Sequence, residues 1–431
     1  MVRSLVQSAC ACILALLVLV FAVHGAAAQD PGLDPTQEQS AGPVGPNMDP
    51  SGDPYEAPLL EPTLDPYAEP EVEPYLEAAA VDGQGPASIY WGAYIQGNTY
   101  GVGNPPWDAR AIDGFERSAG KRISILHWGQ PWQRCTPQCV YQEFREQKPQ
   151  FDAMWRRGII PMVDWASWAS SARPQHKQPK FALQRIIDGS HDAYIHRWAK
   201  EAKAWGHPFF LRFNWEMNGN WFPWSENRNG NSSGQYVAAW RHVREIFRAE
   251  GVTNVKWVWC PNVIDPRSKV PLSHFYPGGY YVDWLCIDGY NWGINPAKPD
   301  RWKSFGALFG PTYAALTRIS SRPIMIGEVS STEVGGSKAA WIADALSNTL
   351  PRKFPRVRAL LWFNWNADDM DWVLESSPKA KAAFAKAISS SYYRAGQVSG
   401  VDASLLDRPV VACRDDQCVF LPIITHNSTL H

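Results

Sequence analysis

Two glutamates in this chain sit where acid–base chemistry can be done. Glu216 lies in Arg212-Phe-Asn-Trp-Glu-Met-Asn-Gly-Asn-Trp-Phe-Pro-Trp224, and Glu328 closes the apolar run from Pro323. Two carboxyl groups flanking one acetal carbon can break it: one protonates the leaving oxygen and the other attacks or activates water. The acid must keep its proton near neutrality. Burial among Trp215, Trp221 and Trp224, with Glu328 as a neighbouring anion, would raise its pKa and achieve that. The nucleophile must stay ionised, and Tyr290 and Arg212 are the candidate hydrogen-bond donors to it. Glu333 is the nearest rival to Glu328, but it falls after the apolar run, in loop. The 22 Trp residues suit flat apolar partners such as sugar rings. We read them as divided evenly between core and surface.

Elements that position these residues follow from periodicity. Strands are predicted near Ile89–Ile95, Arg122–His127, Ile159–Trp165, Pro208–Trp215, Val255–Trp259, Trp284–Tyr290, Pro323–Val329 and Ala359–Asn364. Helical spacing is clearest over Asp192–Trp205 and Gly234–Glu250. Eight near-continuous apolar strands alternating with helices predict an α/β fold, a (β/α)8 barrel over residues 86–390, with a doubly wound open sheet as runner-up. In such a barrel the active site gathers at the C-terminal strand ends. Those ends carry Tyr94, His127, Asp164, Trp165, Glu216, Asn262, Asp288, Tyr290, Trp292, Glu328 and the Trp362–Trp365 run, whereas the opposite ends show no such concentration. The asymmetry points to a polysaccharide as partner, with Trp faces stacking on sugar rings. For His127, substrate contact and a structural role stand level, while Asp164 and Asp288 read first as loop anchors. No phosphate loop, serine elbow or metal-spaced histidine cluster occurs. We therefore expect no cofactor, no metal and no nucleic-acid partner.

The run around Glu216 resembles the acid/base motif of glycoside hydrolase family 26. Shorter likenesses are Gly92-Ala-Tyr94, Trp257-Val-Trp-Cys-Pro-Asn262, Asp288-Gly-Tyr-Asn-Trp292 and Ile326-Gly-Glu328. The resemblance spans roughly residues 88–390 and implies a retaining barrel hydrolase acting on β-mannan, mixed-linkage β-glucan or β-xylan. It implies Glu216 as acid/base, Glu328 as nucleophile, Tyr290 as the nucleophile's partner, and Arg212 and Trp221 as family positions. It also implies a strand-eight Trp as subsite floor. Between Trp362 and Trp365 we lean to Trp362, because alternation with 364 would turn it inward. One departure stands out: the family commonly has His before the acid, and this chain has Trp215. Mannan is the first expected substrate.

The remaining chain frames this domain. Residues 1–28 have a charged start, an apolar middle and Ala26-Ala27-Ala28, the layout of a secretory signal, with a signal anchor as the alternative. Residues 29–85 hold 13 Asp/Glu, 11 Pro and no Lys or Arg, which predicts a disordered acidic spacer. Residues 86–431 then carry 40 basic and 29 acidic side chains, a net of about +11. We expect a secreted monomer with no stable membrane insertion after cleavage. Cys135 with Cys139 and Cys413 with Cys418 read as local disulfides, the latter in a C-terminal extension, 391–431. Cys260 and Cys286 read as buried core residues rather than a pair. Asn231-Ser-Ser and Asn427-Ser-Thr fit the glycosylation pattern.

Overall fold

The computed structural model describes residues 87–135, 138–170, 177–294, 302–367 and 370–396, with the backbone of 413–414 and 417–418. The predicted signal and spacer lie outside the described residues, as do the Cys413 and Cys418 side chains. The backbones of Cys413 and Cys418 face each other in a short antiparallel pair. Eight parallel strands run β1 (Ile89–Ile95), β2 (Ile125–Cys135), β3 (Ile160–Ala169), β4 (Phe209–Phe213), β5 (Val255–Trp259), β6 (Trp284–Asn291), β7 (Ile324–Ser331) and β8 (Val357–Asn364). Neighbours pair in sequence order, and β1 pairs with both β2 and β8, which closes the barrel.

Helices cover the outside: α1 (Arg110–Ala119), α2 (Phe144–Arg156), α3 (Asp192–Trp205), α4 (Gln235–Ala249), α5 (Phe305–Ile319), α6 (Lys338–Asp344) and α7 (Pro378–Ile388). Between β5 and β6 the crossover contains only a 3-10 turn, Leu272–Phe275. β2 runs well past its predicted end and turns back through Cys139–Tyr141, and the Cys135–Cys139 disulfide closes that hairpin. Among the described residues, no helix is long and apolar enough to cross a membrane.

Side chains alternate between two apolar layers, as the pleat requires. Tyr90, Ile125, Met162, Phe210, Val258, Met325 and Leu361 fill the barrel interior, and a larger cluster lies between the strands and helices. This phase corrects two predicted site residues. On β3, Ile160 and Met162 point inward, so Trp165 points outward, buried against Trp198 at 4.8 Å and Phe247 at 5.7 Å. On β8, Ala359 and Leu361 point inward, so Trp362 packs outside the barrel on Phe384 at 5.1 Å. Neither can touch a ligand at the barrel mouth. More than half of the Trp residues are buried, so the Trp excess is chiefly a packing feature.

A second correction concerns Cys260 and Cys286, which are joined by a disulfide. The register that sets Val258 beside Trp284 and Trp259 beside Leu285 carries on to bring these two cysteines side by side inside the barrel. Next to them, β7 bulges between Ile326 and Val329. Gly327 occupies the bulge, where a Cβ would meet Cys286 Sγ at 2.4 Å and Asp288 Oδ1 at 2.7 Å. The missing side chain lets β7 approach the disulfide, and the bulge sets Glu328 opposite Asp288. Gly327→Ala should therefore cost about 1–3 kcal/mol of stability by overpacking, read from denaturant midpoints. An unchanged midpoint would contradict this account of the bulge.

Candidate active site

Glu216 sits just beyond β4 on backbone of unusual conformation. Asn214 and Glu216 have φ of 44° and 53°, in the left-handed region. β4 therefore ends at Phe213, two residues before its predicted end. Asn tolerates this region, and the Asn214 side chain is fixed by Ser167, accepting from its amide at 3.0 Å and donating to Oγ at 2.8 Å. For Glu216 the strain is of order 1–3 kcal/mol. It is held by its own N–H donating to Cys260 O at 2.7 Å and by Gly219 N–H donating to its carbonyl at 3.0 Å. The turn aims the carboxyl group over the barrel interior. There Oε1 accepts from Asn262 Nδ2 at 2.6 Å and Oε2 from Trp221 Nε1 at 2.7 Å. Burial, then the charge of Glu328, push its pKa up to about 7.

Arg212, on the inward phase of β4, is fully buried and binds three carboxylates. Nε and Nη2 form a two-point contact with Asp164 at 2.5 and 2.6 Å, Nη1 reaches Asp288 at 2.5 Å, and Nη2 pairs with Glu328 Oε1. Tyr290 donates its hydroxyl proton to Glu328 Oε2. Burial and the Glu328 charge raise the Tyr290 pKa well above the ordinary tyrosine value, so it remains a donor. Burial likewise pushes Asp288 well up, against the pull of Arg212. For Asp164, Arg212 and His127 outweigh burial and the pKa is lowered. An oxygen from each of Glu216, Asp288 and Glu328 lies within 4.8 Å of the others. His127, Asp164 and Glu328 form a similar cluster. Both clusters have the spacing of a cation site, and the Arg212 guanidinium already supplies a positive charge to Asp164, Asp288 and Glu328.

Other predicted residues divide clearly. Trp221 is 45% exposed and touches Glu216, so it borders open space beside that carboxyl group. Trp292 is half-buried, 6.0 Å from the Tyr290 ring. His127 is buried, with Nε2 2.7 Å from Asp164 Oδ2 and the ring edge-on to Tyr94. It steadies the Arg212 network and is shut off from the mouth. Asp164 and Asp288, read as loop anchors, are instead the partners of Arg212. Glu333 lies beyond β7 and accepts from Ser376 and Ser377, so it ties two loops together. Trp365, the alternative floor, is half-buried and 5.6 Å from Tyr94. Trp215 spreads its ring over the Arg212 guanidinium at 5.0 Å and packs on Phe222 and Trp224. The Asn231 amide is consumed by Pro223 and Ser225 carbonyls, which leaves that sequon unavailable in the folded chain. The sequence placed Asn262 at a strand end and in a family-like run but left its role open between loop anchor and site residue. Trp372 it missed altogether, because that residue lies in a loop with no pattern.

Residues 173–346 match the model of Glycosyl hydrolase family 26. The chain belongs to this family. Endoglucanase H of Acetivibrio thermocellus is 38% identical over 292 residues, covering 67% of this chain and 30% of that protein. A mannan endo-1,4-beta-mannosidase of Bacillus subtilis is 24% identical over 204 residues, 46% of this chain and 48% of that one. The chain thus spans less than half the length of these curated relatives. Among solved structures, a Cellulomonas fimi endo-beta-1,4-mannanase double mutant matches with TM-score 0.55 at 18% identity, over 74% of each chain. A family 26 beta-mannanase from Bacteroides ovatus matches with TM-score 0.52 at 16% identity, over 76% of this chain and 95% of that one. These structures share the barrel fold of this chain.

The titration of Glu216 tests the site directly. Asn262 Nδ2 favours the charged carboxylate, so Asn262→Ala should raise the Glu216 pKa above about 7. Glu328→Gln removes a neighbouring charge and should lower it. A ¹³C titration of labelled Glu216 reads both, and shifts of the opposite sign would overturn the assignment of causes.

Proposed function

We propose that the chain is a retaining endo-β-glycanase, exported as a monomer, in which Glu216 is the acid/base and Glu328 the nucleophile. The observation that carries this reading is the closeness of two buried carboxyl groups in unlike surroundings. Their oxygens lie within 4.8 Å. Retaining enzymes space the two groups about 5–5.5 Å apart and inverting ones about 6.5–9.5 Å. Glu216, with its pKa pushed up to about 7, can carry a proton to the leaving oxygen. Glu328, ion-paired with Arg212 and bonded by Tyr290, attacks the anomeric carbon. The glycosyl-enzyme bond forms as the glycosidic bond breaks. Glu216, now ionised, then takes a proton from water, whose oxygen displaces Glu328 and restores the original anomer.

The sequence put β-mannan first among substrates. The greater likeness to an endoglucanase, 38% against 24% for the mannosidase, supports a glucan ahead of mannan. Trp215, stacked on Arg212 where the family commonly has histidine, removes the motif-based reason for placing mannan first.

A panel of lichenan, carboxymethylcellulose, mannan, glucomannan and xylan, with reducing ends measured, tests the reading. Release should be greatest on a glucan, and Glu216→Gln should lose about 10²–10⁴-fold in rate on an unactivated substrate. Glu328→Gln should lose at least as much. Near-wild-type hydrolysis by either variant would refute the assignment.

A further inference from the structure

Beyond β8, the loop carrying Trp372 is tied down more heavily than a solvent-facing turn needs. Lys338, fully buried at the start of α6, donates Nζ to the carbonyls of Asp371 at 2.5 Å and Val373 at 2.8 Å. Between them the Trp372 carbonyl accepts from Ser330 Oγ of β7 at 2.7 Å. Three successive carbonyls are thus bound from β7 and α6. Thr332 Oγ1 adds a bond to the Asp371 side chain at 2.5 Å. Burying an ammonium group is costly, and this one is spent on a single turn of backbone.

The turn delivers one side chain. The Trp372 ring is buried and lies 5.1 Å from the ring of Tyr290 and 4.9 Å from that of Trp292. Phe363 meets the Tyr290 ring edge-on at 5.3 Å. Tyr290 is therefore packed against both rings, and its hydroxyl reaches Glu328 from that packing. We infer that Trp372, fixed by Lys338, is a positioning residue for the nucleophile, acting through Tyr290. Misplacing a reacting group by about 1 Å can cost on the order of 100-fold in rate, so packing that holds its hydrogen-bond donor has kinetic consequences. The inference rests on the glycosidase reading above.

A double-mutant cycle separates this role from plain packing. Trp372→Ala and Lys338→Met should each lower kcat at least tenfold in the wild-type background, with KM changed less. On a Tyr290→Phe background, where the hydroxyl is already gone, the same changes should cost less than twofold. Trp372→Phe should restore most of kcat. Equal losses in both backgrounds, or no loss in either, would overturn the inference. If Trp372→Ala fails to fold, Lys338→Met and Trp372→Phe carry the same cycle. Crystal structures of the variants read the role without activity: Tyr290 should leave Glu328 in Trp372→Ala or Lys338→Met and stay in Trp372→Phe. A wild-type chain inactive on every glycan would refute the glycosidase reading, while the Tyr290–Glu328 bond in those crystals would still decide this one.

Discussion

One buried guanidinium organises the mouth of this barrel. Arg212 holds Asp164 from β3, Asp288 from β6 and Glu328 from β7, and it lies under the Trp215 ring. Burying such a charge is worthwhile only when it is fully paired, and removing one partner from a buried pair typically costs about 3–5 kcal/mol. Asp288 is pushed well up by burial, and Asp164 is held down by Arg212 and His127. The partners thus differ in their hold on protons, which lets one cation sit among three carboxyl groups. The arrangement ties β3, β6 and β7 together through β4, so the barrel's closure and its site share one network.

Beside this network, the protein sets two glutamates in opposing surroundings. Glu328 is met by two strong donors, whereas Glu216 meets an indole, an amide and a nearby negative charge. Creating that difference takes departures from ideal geometry: a left-handed turn at Asn214 and Glu216, and a bulge at Gly327. The turn lies where β4 ends, and the bulge lies in the middle of β7. Strain of order 1–3 kcal/mol per residue is tolerable there because the surrounding core over-determines the backbone.

The sequence made the strands legible because buried parallel strands are long apolar runs, and the predicted α3 matches its observed span. It made Glu216 and Glu328 legible because polar residues at the ends of such runs have no packing reason to be there. It misled on phase. With apolar layers on both faces, β3 and β8 accept Trp on either side, so Trp165 and Trp362 carried no signal of direction. Spacing along the chain also hid the Cys260–Cys286 bond, which depends on the register of β5 against β6. The Arg212 hub was only half visible. Its carboxylate partners come from separate strands, and only the closed barrel brings them within reach of one side chain.

The central claim is that Glu328 attacks carbon while Glu216 manages the proton, and the stereochemistry of the first product tests it most directly. Proton NMR of the anomeric region, followed from the first minutes of hydrolysis of a soluble β-glucan or its oligosaccharides, should show the β-anomer first, with the α-anomer growing later by mutarotation. Initial release of the α-anomer would contradict the account, because the two carboxyl groups would then be activating water in a single displacement.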